Sequence, residues 1–100
     1  MPMEKLVPHC KLVVIHRLVE VGRVRATWSA LSGAAQLGFD FEEMVEVVTA
    51  LVPRDFHKSM TTHADHTIWQ DVYRPMTRVG EIYLKLIVID DVLIVSFKER

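Results

Sequence analysis

The spacing of hydrophobic residues changes at Pro53, and this change restricts the fold more than any other feature. Before Pro53 the hydrophobic residues recur every three or four positions, as on one face of an α-helix. After Pro53 apolar and polar residues alternate, as in a half-buried β-strand. We predict one α+β domain over residues 1–100, with a helical half over about 1–52 and a sheet half over about 53–100.

Three helices are predicted in the first half from signals at their ends. They lie in PHCKLVVIHRLVEVG, TWSALSGAAQLG and DFEEMVEVVTAL. Pro8 is expected at or near the start of the first helix, and Gly22 at its end. Thr27 is expected to cap the second helix. Asp40 and Glu43 are spaced for a capping box at the third.

Four strands are predicted in the second half, at about residues 55–62, 68–75, 81–89 and 92–98. Asp90 and Asp91 would form the turn between the last two strands, and this turn fixes their pairing. The expected pairs on the core face are Leu84–Phe97, Leu86–Val95 and Val88–Leu93. Helices followed by hairpins predict an antiparallel sheet that the helices cover on one face.

The other face of this sheet is predicted to be polar. Trp69 must lie in the core if its ring is buried, and this places Gln70 on the opposite face. A two-residue loop at Met76 and Thr77 would set Gln70 directly opposite Tyr83. The polar face then gathers an amide, a phenol and several cations: Gln70, Tyr83, Lys58, Arg74 and Lys85.

A metal site is one interpretation of the segment HADHTIWQDVYRP. His63, Asp65 and His66 are possible zinc ligands, but a structural site needs about four, and the remaining histidines come from unrelated segments. We therefore favour a polar hairpin turn and expect no metal and no cofactor. The chain also lacks a glycine-rich phosphate loop and a nucleophile elbow.

The charge is nearly balanced, with 12 Lys and Arg against 13 Asp and Glu, so contact with RNA requires a local basic cluster. The only cysteine, Cys10, excludes an intramolecular disulfide framework and fits a reducing compartment. We see no signal-peptide pattern and no apolar run of roughly 18 residues, and we expect a cytoplasmic protein without membrane contact.

Metal-free cleavage of RNA fits the polar face. The reaction requires deprotonation of a 2′-hydroxyl, stabilisation of the phosphorane charge, and protonation of the leaving 5′-oxygen. Lys58, Tyr83 and their neighbours could supply these functions. The alternative is an ordinary solvated face without a catalytic role.

The runs DFHKSMTTHADHTIWQDVYRP and GEIYLKLIVIDDVLIVSFKER closely resemble the MqsR family of motility quorum-sensing regulator toxins. The resemblance extends to PHCKLVVIHRLVEVGRVRATWSAL and LGFDFEEM. It implies a RelE-like fold and a type II toxin that cleaves mRNA without a metal ion and without the ribosome. It further implies cleavage at GC-containing trinucleotides such as GCU, neutralisation by a cognate antitoxin, and no DNA binding by the toxin alone.

The family's proposed catalytic positions fall on Lys58, Gln70 and Tyr83. The resemblance implies that Lys58 stabilises the phosphorane charge or moves a proton, that Tyr83 acts as acid or base, and that Gln70 orients the scissile phosphate. Further candidates come from position alone. These are Met60 as a contact to a base, Arg74 and Lys85 as phosphate contacts, and His66 as a secondary acid or base.

The chain departs from the family pattern at His57 and His63, where tyrosine is usual. An imidazole at position 57 could stack on a base or titrate near neutral pH. Strict alternation, however, points His57 away from Lys58, and we favour that placement. A second function, a non-catalytic RNA- or protein-binding module of the same fold, remains open. An antitoxin is expected on a sheet edge or on the helices.

Overall fold

The computed structural model describes residues 2–100, and Met1 of the predicted domain lies outside the described residues. Helices α1 (Leu12–Glu20), α2 (Trp28–Gln36) and α3 (Phe41–Thr49) pack on one face of a seven-stranded sheet. The strands are β1 (Glu4–Lys5), β2 (Val24–Ala26), β3 (Phe56–Thr61), β4 (Trp69–Tyr73), β5 (Met76–Thr77), β6 (Gly80–Val88) and β7 (Val92–Glu99). The predicted α+β class is confirmed. Within residues 2–100, no helix is both long enough and apolar enough to cross a membrane.

The predicted helix caps are confirmed, except at the start of α1. The Thr27 hydroxyl accepts a hydrogen bond from the Ala30 amide at 3.1 Å, and Asp40 and Glu43 form a reciprocal capping box. Gly22 follows α1 with a φ of 82°, a conformation that favours glycine. Pro8 does not begin α1, which starts only at Leu12.

The strand order is β1-β3-β4-β6-β7-β2, with β5 paired to β6. All pairs are antiparallel except β2 with β7, which is parallel. Strands β1, β2 and β5 were not predicted because two or three residues are too few to show an alternating pattern. Both edge strands therefore come from the half of the chain that was predicted to be helical.

The pairing of β6 with β7 is confirmed at one end and wrong at the other. Leu84 lies opposite Phe97 as predicted, but a β-bulge follows, in which Val95 is the extra residue. The observed pairs are Leu86–Ile94 and Val88–Val92, in place of the predicted Leu86–Val95 and Val88–Leu93. The bulge exchanges the faces of β7, so that Ile94 is fully buried in the core.

The loop between β4 and β6 was placed two residues too early. Thr77 pairs with Gly80, so the two-residue turn is at Arg78 and Val79. Val72 lies opposite Lys85, which leaves Gln70 four residues along β6 from Tyr83. The prediction that Gln70 lies opposite Tyr83 is wrong. The predicted register differs from the observed one by an even number of residues, so the side chains of β4 still lie on the predicted faces of the sheet.

Trp69 was expected in the core, but the structure places it under the N-terminal segment. Its indole stacks on the His9 ring with centroids 5.6 Å apart, and the Lys5 ammonium lies 4.1 Å from the indole centroid. Tyr73, four residues on, is 1% exposed and packs edge-on against Phe56. The Tyr73 hydroxyl is buried without a partner among residues 2–100. The tyrosine ring therefore anchors β4 to the core.

Replacement of Tyr73 should distinguish these two aromatic residues. Tyr73→Ala should lower the free energy of unfolding by about 3–5 kcal/mol, because it leaves a cavity in the core. Tyr73→Phe should keep or raise the stability, since it removes an unpaired buried hydroxyl. Trp69→Ala should cost less than Tyr73→Ala. Urea denaturation measures all three, and a larger loss for Trp69→Ala would contradict this assignment of the core.

Candidate active site

A cavity of about 430 Å³ lies on the sheet face opposite to the helices. Four residues predicted from the sequence line it: Lys58 and Met60 on β3, and Tyr83 and Lys85 on β6. Val72 is also in its lining and is only 1% exposed, although it lies on the polar face. The remaining lining residues are Lys98, Glu99 and Arg100. The structure thus assembles most of the predicted site around an apolar floor.

Strand register brings three lysines together in this cavity. Lys58 and Lys85 lie on either side of Val72, and Lys98 lies opposite Tyr83 on the neighbouring strand. Burial lowers the pKa of Lys85, and the charges of Lys98 and Lys58 lower it further. A lowered pKa makes the Lys85 ammonium a stronger acid than an ordinary lysine. The cavity is therefore a concentrated positive site on a chain of net charge −1.

The Lys58 ammonium is held by a carboxylate from the N-terminal strand. Glu4 Oε2 lies 2.7 Å from Lys58 Nζ. Glu4 pairs with Met60 across the β1–β3 ladder, so the backbone fixes Glu4 beside the cavity. Both side chains remain partly exposed, and the pair can open when an anion competes for the lysine.

His57 lies on the cavity side of β3, and the prediction that it points away from Lys58 is wrong. Phe56 lies opposite Tyr73 and Lys58 opposite Val72, which makes His57 the extra residue of a β-bulge. The bulge turns the imidazole toward the polar face, where its centroid is 6.2 Å from that of Tyr83. Burial, Arg74 and Lys58 together lower the pKa of His57 below its ordinary value.

Arg74 contacts the neighbours of the cavity without lining it. Its Nε lies 2.7 Å from Glu81 Oε1, and its guanidinium carbon lies 5.9 Å from the Tyr83 centroid. The Arg74 guanidinium also approaches His57 Nδ1 at 3.4 Å. Because an arginine can only donate, Nδ1 must accept, and the proton of the neutral imidazole is then on Nε2. The pKa of Glu81 is lowered chiefly by its hydrogen bond from Arg74.

Two further predicted residues, Gln70 and His66, also lie outside the cavity. Gln70 lies opposite Met60 on the same face, next to the cavity. His66 is exposed in the turn before β4, where the Asp65 carboxylate accepts hydrogen bonds from the amide and hydroxyl of Thr67. Among residues 2–100, no three His, Cys, Asp or Glu side chains form a group that could hold a metal ion.

Known proteins resemble this chain over almost its whole length. Residues 7–99 match the family model described as "Motility quorum-sensing regulator, toxin of MqsA". The mRNA interferase toxin MqsR of Escherichia coli (strain K12) is 57% identical over 98 residues, which cover 98% of this chain and 100% of the relative.

The chain belongs to the MqsR toxin family. The resemblance inferred from the sequence is thereby confirmed, and so is the expectation of an mRNA interferase toxin at the level of the family.

One buried residue of this MqsR toxin was missed from the sequence. Asp71 is 2% exposed, and its carboxylate accepts hydrogen bonds from the His9 and Cys10 amides at 2.9 and 3.0 Å. These bonds tie the N-terminal segment to β4, and they explain why α1 begins only after Pro8. Asp71 lies on the same strand face as Trp69 and Tyr73, which was predicted to be the core face. Because a buried carboxylate requires partners, its position there indicated that it would accept hydrogen bonds.

A larger groove, of about 520 Å³, lies elsewhere in the MqsR toxin, between α3 and the β5 turn. Its lining contains both acidic and basic side chains, including Glu43, Glu46, Arg54 and Arg78. Arg78 is already paired with Glu43 at 3.2 Å. We therefore assign the smaller, predominantly basic cavity as the active-site candidate.

The lowered pKa of His57 should make the stability of this MqsR toxin sensitive to acid. As the pH falls below about 6.5, the unfolded chain takes up a proton that the folded site resists. The contribution of neutral His57 to the free energy of unfolding is therefore present above about pH 6.5 and is lost as the pH falls below it. His57→Gln should remove this loss. Urea denaturation of both proteins between neutral and mildly acidic pH measures the difference.

His63→Gln is the matched control, because His63 is exposed to solvent in the folded chain. It should follow the parent protein. Parallel curves for His57→Gln and the parent would contradict the placement of His57 beside Arg74 and Lys58.

Proposed function

We propose that this member of the MqsR toxin family is a metal-independent, ribosome-independent endoribonuclease that cleaves mRNA in the cavity around Lys58, Tyr83 and Lys85. One observation carries the proposal: lysine ammonium groups and a phenol converge on one open cavity. Such a site attracts the phosphates of RNA and also offers groups that transfer protons. The name of the 57% identical relative, an mRNA interferase toxin, supports mRNA as the substrate.

The lysines are proposed to stabilise charge in the transition state. In cleavage through the 2′-oxygen, that oxygen attacks the adjacent phosphorus, and negative charge develops on the phosphorane oxygens. Lys58 and Lys98 enter the cavity from different strands, so they can bind these oxygens from two sides. Fixed cations do this without the reorganisation that water would require.

Tyr83 and Lys85 are proposed to transfer the protons. Tyr83 lies between the His57–Arg74 pair and the lysines, and its phenol oxygen is proposed to accept the proton of the 2′-hydroxyl as that oxygen bonds to phosphorus and the bond to the 5′-oxygen breaks. The lowered pKa of Lys85 suits its ammonium to protonating the leaving 5′-oxygen. This assigns to Lys85 part of the role that the sequence suggested for Lys58.

Selection of the RNA sequence is proposed to involve Met60 and Gln70, which lie opposite each other beside the catalytic lysines. The Met60 side chain can pack against a base. The Gln70 amide both donates and accepts, so it can bind the edge of a base. The family resemblance supports GC-containing trinucleotides such as GCU as the preferred sites. We further propose that the toxin acts in the cytoplasm and that a cognate antitoxin inhibits it.

Incubation with a short GCU-containing RNA in EDTA tests this function. The parent protein should cleave the RNA, and Lys58→Ala and Tyr83→Phe should each reduce the rate by about 100-fold or more. His66→Ala is the control, because His66 lies outside the cavity, and it should cleave at the parent rate. Circular dichroism confirms that each variant is folded.

Two results would contradict the proposal. Cleavage that stops in EDTA and returns with zinc would indicate a metal site. RNA that is bound but stays intact would indicate the alternative function, a binding module.

Replacement of Glu4 tests the role of the ion pair with Lys58. Glu4→Gln should strengthen binding of an uncleavable RNA, because Lys58 then meets a phosphate without a competing carboxylate. The slope of log affinity against log salt should steepen by up to about 0.7, as one more counterion is released from single-stranded RNA.

The control is Glu42→Gln, which removes the same charge from an exposed position on α3. It should leave the slope unchanged. Equal effects of the two substitutions would show that only the net charge matters, and would contradict a specific Glu4–Lys58 competition.

A further inference from the structure

A second cavity, of about 400 Å³, lies beside the candidate active site, between α2 and β7. Trp28, at the start of α2, is part of its lining and is 84% exposed. The polar lining residues are Ser29, Ser32, Gln36, Ser96 and Lys98. The cavity thus combines an uncovered aromatic ring with hydrogen-bonding groups and one cation.

This cavity exists because α2 approaches β7 closely where β2 has ended. Strand β2 pairs with β7 only as far as Ile94, so the rest of that edge has no strand partner among residues 2–100. A Cβ atom on Gly33 would clash with the carbonyl oxygen of Phe97, so only glycine allows the helix to lie this near. The helix therefore covers the strand edge at Phe97 and leaves a recess toward Trp28.

The two cavities are adjacent, because Lys98 lines both. The active-site cavity is on the open face of the sheet, and the second cavity is around the edge of β7. A single RNA strand that leaves the first cavity past Lys98 enters the second without crossing the core. A lysine between two such cavities is placed to bind a connecting phosphate.

We propose that the second cavity is a subsite for an unpaired nucleotide that flanks the cleaved bond, with its base stacked on Trp28. This inference rests on the proposed function. Stacking on an exposed aromatic ring is how single-stranded RNA is commonly bound, and serine and glutamine side chains can bind a base edge. The Lys98 ammonium binds the phosphate between the two nucleotides.

A strand from a partner protein fits this recess less well than a base does. Addition of a strand requires a continuous open edge, and α2 covers the edge at Phe97. The hydroxyl and amide lining also differs from the apolar groove that an amphipathic partner helix requires. A planar base needs only the ring of Trp28 and a few hydrogen bonds.

Kinetics on substrates of different length test the subsite. A minimal GCU trinucleotide is compared with the same sequence extended by roughly four nucleotides on its 5′ or its 3′ side. Trp28→Ala should raise KM for one extended substrate about tenfold and leave the trinucleotide unchanged, since stacking is lost only where a base reaches Trp28. Trp28→Phe should retain most of the affinity. Val13→Ala removes another exposed apolar side chain, on α1, and should have no effect.

Fluorescence tests the same contact without cleavage. The chain has two tryptophans, so Trp69→Phe leaves Trp28 as the only indole. An extended RNA with a 2′-deoxy group at the attacking position should quench this fluorescence, and the deoxy trinucleotide should not. Quenching that depends on the extension supports stacking on Trp28.

Each failure identifies the proposal that is wrong. If the parent protein cleaves RNA but neither KM nor the fluorescence responds to the extension, the subsite is overturned and the endonuclease stands. If Trp28→Ala weakens antitoxin binding and leaves RNA kinetics unchanged, the surface is a protein interface and the subsite is overturned. If the parent cleaves no RNA, the proposed function fails, while quenching by the extended RNA alone would still support a nucleotide subsite.

Discussion

The alternation of side chains along β6 connects the core of this toxin to its candidate active site. Ile82, Leu84 and Leu86 are fully or almost fully buried against the helices. Tyr83 and Lys85 lie between them in sequence and point into the cavity on the other face. A strand that buries every second residue has no freedom to rotate, so the packing that stabilises the fold also fixes the phenol and the ammonium. Two of the catalytic candidates, Tyr83 and Lys85, thus lie on a strand that is fixed by the core.

Bulges modify this alternation at two places, and both alter which residues reach the site or the core. In β3 the extra residue is His57, which joins Arg74 and Tyr83 on the polar face. In β7 the extra residue is Val95, and the core receives Ile94 in its place. A bulge adds one residue to one strand, so the side chains on the two sides of it differ in register relative to the partner strand. In β3 it adds a titratable ring to a site that otherwise holds lysines and a phenol.

Much of the fold was predictable, because helix caps and a period of two are local properties. The capping box at Asp40 and the shared face of Lys58, Met60, Tyr83 and Lys85 follow from spacing alone. The bulges were not predictable, since apolar residues occupy both faces of β7 and leave its register unmarked. The position of Gln70 depended on one turn, and the sequence favoured no single choice of turn residues there. Alternation indicated that Asp71 faces the core, but its partners could not be inferred, because the His9 and Cys10 amides are remote in sequence.

The balance of charge around the cavity is compatible with the proposed function, in which a nearly neutral chain binds RNA and releases it. Burial lowers the pKa of Lys85, and repulsion from the ammonium groups of Lys98 and Lys58 lowers it further. Glu4 relieves this repulsion at Lys58, and Glu81 does so at Arg74 and Arg100. These ion pairs are partly exposed, so a phosphate can replace the carboxylate at little net cost. Outside the cavity, Arg23 and Arg25 share the carboxylate of Asp91, next to the start of β7. Under the proposed function, RNA phosphates bind chiefly at the cations of the cavity, and the cleaved strand leaves when its phosphate is exchanged again for a carboxylate.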